Sequence, residues 1–122
     1  MPEPEKIREV IEQYTSRFSA GDRDGWLALW HEDATMEDPV GTEVKKGRDA
    51  IAEFWDGGAG ASGAQLELVS QVLVPSPNDC SFLMNVKVKL GDDEFVLPAI
   101  DVMTFDDSGL ITSQRAFFDT GG

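Results

Sequence analysis

The chain has 122 residues, 41% of them hydrophobic and 27% charged, ordinary values for a globular chain with room for one core and not for two. Ten basic against 23 acidic residues leave a net charge of −13, a field that repels nucleic acid, anionic lipid surfaces and highly anionic substrates. The single histidine, His31, and single cysteine, Cys80, exclude a multi-histidine metal site and an internal disulfide. A lone thiol fits a reducing cytoplasm, and the polar, acidic start MPEPEKIREV has the character of neither a secretory signal nor a transit peptide. No apolar run approaches the roughly 20 residues that a membrane span requires. No phosphate-binding glycine loop is present, so a nucleotide cofactor has no support. A neutral apolar ligand, or a cationic one, is the easiest to accommodate.

Pro4 followed by Glu5 to Ala20 predicts a helix, because Ile7, Val10, Ile11, Tyr14 and Phe18 recur at helical spacing as one apolar stripe. Gly21 ends it, and Asp22 or Asp24 can cap a short second helix with Trp26, Leu27, Leu29 and Trp30 facing inward. An extended segment, Ala34 to Asp38, stops at Pro39. A third helix follows Gly47-Arg48-Asp49 and carries Ala50, Ile51, Phe54 and Trp55. Residues 56 to 65, DGGAGASGAQ, read as a glycine-rich connector.

Three or four strands follow. Leu66 to Val74 is the first, ended by the Pro75-Ser76-Pro77-Asn78 turn. Ser81 to Leu90 alternates apolar and polar residues, and Gly91-Asp92-Asp93 turns it into Phe95 to Phe105. Asp106-Asp107-Ser108-Gly109 makes a second hairpin into Leu110 to Phe118. The expected architecture is α+β and occupies one domain, 1–122. Three N-terminal helices cover one face of a curved, mainly antiparallel sheet and enclose an apolar pocket.

Three residues break local rules. Asp101 is the only ionisable residue between Phe95 and Phe105, in a segment apolar on both alternating faces. Following the pleat therefore brings it to no polar side, and burial of a lone carboxylate raises its pKa until it is neutral. Asp38, in MEDPVG, is a poor strand residue at the point where the chain turns. Tyr14, the only tyrosine, lies on the buried stripe of the first helix, where its hydroxyl needs a partner.

Each also has a plain structural reading. Tyr14 fits a core ring with its hydroxyl at the edge, and Asp38 fits a turn residue before proline. Asp101 fits a buried aspartate satisfied by Arg115 on the neighbouring strand. Together, a tyrosine and a neutral carboxylic acid are two hydrogen-bond donors, and an ionised Asp38 at the pocket mouth is a base. Two carboxyls with pKa values pushed apart are the signature of acid–base chemistry.

EDPVG (37–41), KGRDAIAEFW (46–55), AIDVMTFDDSGLI (99–111) and EQYTSRFSAGD (12–22) resemble the Δ5-3-ketosteroid isomerases, within the nuclear transport factor 2-like and SnoaL-like superfamily. The resemblance covers nearly the whole chain, in the right order, and implies a cone-shaped fold and no metal or organic cofactor. It implies that Asp38 moves a proton from C4 to C6 of a 3-oxo-Δ5-steroid. Tyr14 and protonated Asp101 would donate to the dienolate oxygen at C3, a role for a neutral aspartate that belongs to the family. Family members usually pair as homodimers through the outer sheet face.

The sequence also departs from the family pattern. Trp30 and Trp55 stand where supporting tyrosines are expected, and indole donates but cannot accept a proton. Phe118 stands where some members hold a tryptophan against the base. Trp30, Phe54, Trp55, Phe82, Met84, Met103 and Phe118 are the candidate substrate-binding residues. Two other readings keep the fold. One is a binding protein for a steroid or polyketide, with little turnover. The other is a cyclase or epoxide hydrolase, in which an Asp–Arg–Asp cluster would need Arg115 at its middle. His31 reads as the end of the second helix, Cys80 as an inert thiol, and the acidic hairpin tips as solvated turns.

Overall fold

The computed structural model describes residues 2–119. Helix α1, Pro4–Ser19, starts on proline and buries Ile7, Val10, Ile11, Tyr14 and Phe18, the stripe that the helical spacing predicts. The Asp22 side chain caps α2, Arg23–Leu27, by accepting from the Gly25 backbone N–H at 3.0 Å. Strand β1, Trp30–Glu37, and the two-residue β2, Lys45–Lys46, precede α3, Arg48–Phe54. Trp30 and His31 therefore open a strand, where the sequence suggested the end of the second helix. The Arg48 guanidinium donates to the Trp30 carbonyl and ties α3 to that strand start.

Part of the glycine-rich connector is ordered as a π-helical turn, Trp55–Ala59, broken by Gly58 at φ 145°, a conformation open to glycine. A Cβ on Gly60 would lie 2.0 Å from the Trp55 indole, so the missing side chain is what lets this turn close over the ring. The predicted strand 66–74 is two strands, β3 (Gln65–Leu68) and β4 (Leu73–Ser76), interrupted between them. Pro75 and Ser76 belong to β4, and the turn is shorter than expected. Strands β5 (Asp79–Leu90), β6 (Asp93–Phe105) and β7 (Ile111–Phe118) form the long hairpins.

The sheet order is β2-β1-β7-β6-β5-β3, with β4 also paired to β5. All pairs are antiparallel except β1 with β7, so the sheet is mixed and mostly antiparallel. The helices pack on one of its faces, and the core lies between them. In the inner half of β6 the alternation is strict: Ala99, Asp101, Met103 and Phe105 are buried, and Ile100 and Val102 are exposed. Beyond Ala99 the β5–β6 hairpin runs past the body of the molecule, and 93–98 are exposed on both faces. Among the described residues no helix is long and apolar enough to cross a membrane.

Candidate active site

Inward positions of three neighbouring strands bring the polar residues together. On β6 the inward residues are Asp101 and Met103. On β7, Gln114 pairs with Met103 and Ala116 with Asp101, which sets Gln114 diagonally beside Asp101 on the same face. On β1, Met36 pairs with Gln114, and Asp38 follows two residues later, just before a cis peptide to Pro39. Gln114 is 1% exposed and its Nε2 donates at 3.2 Å to Oδ2 of Asp38 and at 3.2 Å to Oδ2 of Asp101. The two carboxyls are thus joined by one primary amide.

Asp101 is fully buried. Its carboxyl is raised to about 7, chiefly by burial, with the Gln114 hydrogen bond pulling it down and the Asp38 charge adding to the rise. Its Oδ1 has no hydrogen-bond partner among the described residues. Asp38 is also raised, chiefly by burial, and is held back by the Gln114 N–H and the positive charge of Lys45. The Lys45 Nζ sits 5.2 Å over the Phe54 ring. Tyr14 is raised well above its usual value by burial, then by the Asp101 and Asp38 charges. It is therefore a neutral hydroxyl at neutral pH and a donor. Its ring packs 5.6 Å from Trp26 and 6.2 Å from Trp30.

A cavity of about 150 Å³ opens beside these groups. Its wall includes Tyr14, Asp38, Phe54, Met84 and Phe118, with an otherwise apolar lining from β3, β5 and the connector. Asp101 lies behind this wall. Trp30, Phe82 and Met103, at 0–1% exposure, are core residues that do not line the cavity. Trp55 is likewise behind it, against Phe18 and Trp26 at ring distances of 5.0 and 5.2 Å. Phe18, Ala59, Ser62, Ala64, Leu66 and Val86 complete much of the wall. Ala59, Ser62 and Ala64 are small residues in a connector and carry no periodic signal, and the periodicity of Phe18, Leu66 and Val86 marks a buried face without separating cavity wall from core. The indole nitrogens of Trp26 and Trp30 are buried without a partner among the described residues.

Arg115 is not the partner of Asp101. It follows Gln114 and so points to the opposite face, where its Nε donates to Glu37 Oε1 at 2.8 Å. The middle of the aspartate pair is held by a neutral amide, and the Asp–Arg–Asp arrangement does not form. The signal for Gln114 was its register: a large polar residue in phase with the inward Ala116, facing an aspartate two residues along the next strand. His31 lies on β1, with Nδ1 accepting from the Asp33 N–H at 3.0 Å. Cys80 is buried, and burial pushes its thiol up to about 12, which leaves it without thiolate character. Among the described residues no group of three or more acidic, cysteine or histidine side chains is placed to hold a metal.

Helices packed on one face of a mixed, mostly antiparallel sheet, with an aspartate and a tyrosine on the wall of an apolar cavity, define a class of α+β folds. The SnoaL-like domain model matches residues 11–114, and the chain belongs to that family. It is 38% identical over 116 residues to a steroid Delta-isomerase of Nocardioides simplex, covering 95% of this chain and 92% of that one. Over 52 residues it is 42% identical to the epoxide hydrolase LasB of Streptomyces lasalocidi, covering 43% of this chain and 18% of that protein. Its structure matches SalBIII, described as an epoxide hydrolase/cyclase-like enzyme with a role in pyran ring formation in salinomycin. The TM-score is 0.89 at 25% identity, over 99% of this chain and 96% of that one. A computationally designed 17-OHP binder shares the fold at TM-score 0.82 and 22% identity, over 95% and 92% of the two chains.

Proposed function

We propose that the protein is a steroid Delta-isomerase that moves the double bond of a 3-oxo-Δ5-steroid into conjugation without a cofactor. The single observation that carries this reading is the unequal setting of two joined carboxyls, Asp38 on the cavity wall and Asp101 buried behind it, beside a buried tyrosine donor. Asp38, at the wall and close to Lys45, is the base. It takes a proton from C4, the released pair forms the C3–C4 double bond of a dienolate, and charge collects on the C3 oxygen. Tyr14 donates to that oxygen, and neutral Asp101 is the second donor through Oδ1. Asp38 then returns the proton to C6, the C5–C6 double bond becomes C4–C5, and the carbonyl reforms. Donors aimed at developing charge in a dry site are worth about 10²–10³-fold each, and a positioned base about 10²–10⁴-fold. Phe54, Met84 and Phe118 offer the steroid an apolar wall. The 38% identity to an isomerase over nearly the whole chain supports the assignment.

The test is the ultraviolet absorbance of the conjugated enone after mixing with 5-androstene-3,17-dione. A fast rise in wild type, lost in Asp38→Asn, supports the reading. A flat trace from folded wild type that binds the steroid overturns it in favour of a binding protein. The likeness to SalBIII favours one second reading, an epoxide-opening cyclase in which Asp38 takes a hydroxyl proton and Asp101 protonates the epoxide oxygen. Turnover of a hydroxy-epoxide with a flat enone trace would select it.

The outer sheet face carries Val96, Ile100, Val102 and Phe117 at 37–48% exposure, a patch that a second copy would cover. Sedimentation equilibrium of wild type against Ile100→Lys tests that homodimer, which should dissociate in the variant.

A further inference from the structure

Gln114 is an unusual bridge. Among the described residues no other side chain hydrogen-bonds both aspartates, and it belongs to no motif that suggested the reaction. Its amide nitrogen carries two hydrogens, enough for one bond to each Oδ2. Rotating the amide would turn Oε1 toward an ionised carboxylate, so the observed orientation is the attractive one. Oε1 itself is buried without a partner among the described residues, which leaves the N–H side as the end that fixes this residue.

The charge of the bridging group matters as much as its reach. An arginine here would favour the ionised form of both carboxyls, and an apolar residue would favour neither. A neutral amide donates to both while adding no charge. The groups facing the pair follow the same pattern. From α1 comes neutral Tyr14, and from β5 the Cys80 thiol, pushed up to about 12 and uncharged. From β2, Lys45 acts on Asp38 alone among the two aspartates. Met36 and Met103, in register with Gln114 on either side, are apolar. The Glu37–Arg115 pair lies on the other face. One cation therefore faces two carboxyls, and it faces the one at the cavity wall.

We propose that Gln114 is a positioning residue whose neutral amide ties Asp38 to Asp101 without adding a charge, so that Lys45 and the deeper burial of Asp101 leave one charge on the first and one proton on the second. With Oδ2 of Asp101 engaged by the amide, the proton is left on Oδ1, the oxygen that has no partner among the described residues. This inference rests on the reading of Asp38 as base and Asp101 as donor.

The direct test is a titration of the wild-type protein by NMR, with carbon-13 in the aspartate carboxyls and nitrogen-15 in the glutamine side chains. Two separated carboxyl steps are expected, with the Gln114 amide protons shifting in both. An amide signal that stays at the position of an exposed glutamine and ignores both steps would overturn the bridge. In Gln114→Met, similar in volume but unable to donate, both carboxyls should titrate about one pH unit higher. The acid limb of kcat/KM should move with them, and kcat should fall about tenfold or more with little change in KM. Gln114→Glu keeps the shape, adds a third carboxyl and should move the limb further. If either variant fails to fold, the wild-type titration decides. A shifting amide in a protein that leaves the enone trace flat would sink the isomerase and keep the bridge; an active enzyme whose Gln114 amide is indifferent would do the reverse.

Discussion

Asp101 and Glu37 are carboxylic acids on strands that flank β7 in one sheet, and they face opposite ways. Glu37 is on the outer side, where Arg115 donates at 2.8 Å and the Gly41 N–H at 3.1 Å, and its pKa falls. Asp101 is on the inner side, fully buried, with one amide for company, and its pKa rises to about 7. The two are separated by the pleat of a sheet and by a single step in the β7 sequence, from Gln114 to Arg115. The inner setting suits acid–base chemistry, because only there is the neutral acid well populated near neutral pH. The outer pair is an ordinary solvated contact.

The comparison can be broken at several strengths. Replacing the inner acid with an apolar side chain, Asp101→Leu, should lower kcat by about 10²–10³-fold in the enone assay. Tyr14→Phe should cost a similar factor, and the two losses should be less than additive, because in the proposed reaction both donors serve one oxygen. A smaller but cleaner effect is on stability. A carboxyl raised from the ordinary range to about 7 binds more protons in the folded state than in the unfolded one. Folding stability therefore declines as pH rises from about 4 to about 7 and is level above that, by on the order of 4 kcal/mol for this group alone. Raised Asp38 acts in the same direction. Urea unfolding across that window should show the decline in wild type and a flatter line in Asp101→Asn, which should be the more stable protein at alkaline pH. The smallest effect is expected outside: Glu37→Gln, which keeps the shape of a half-buried partner to the exposed Arg115, should leave kcat unchanged and the melting temperature almost so. A large loss of rate in that variant would erase the distinction between the two faces.

Much of this was legible in the residues themselves. The stripe from Ile7 to Phe18 specified α1 and put Tyr14 inside it, and an acid in VLPAIDVMTF announced a buried carboxyl. What the sequence did not disclose depends on contacts between distant segments. Trp30 sits in an apolar stretch that continues the spacing of α2, and only its docking beside Ile111 on β7 turns it into a strand residue. The break between β3 and β4 answers to the Ser70 side chain, which accepts from the Leu83 N–H at 2.8 Å, a long-range bond that local propensity cannot express. Arg115 looked like the partner of Asp101 because charge suggests charge. The register of β7 gave the inward place to its neutral neighbour.

The parallel pairing of β1 with β7 has a consequence for how the protein comes into being. Asp38 and Gln114 are 76 positions apart, and the amide arrives with the last strand. In a growing chain that has made everything through β6, β1 has no link to β6, because β7 lies between them, and the two acids are brought together only when β7 docks with the amide that joins them. Closure of the sheet and completion of the polar centre are therefore one event, and refolding followed by fluorescence should keep pace with the return of activity.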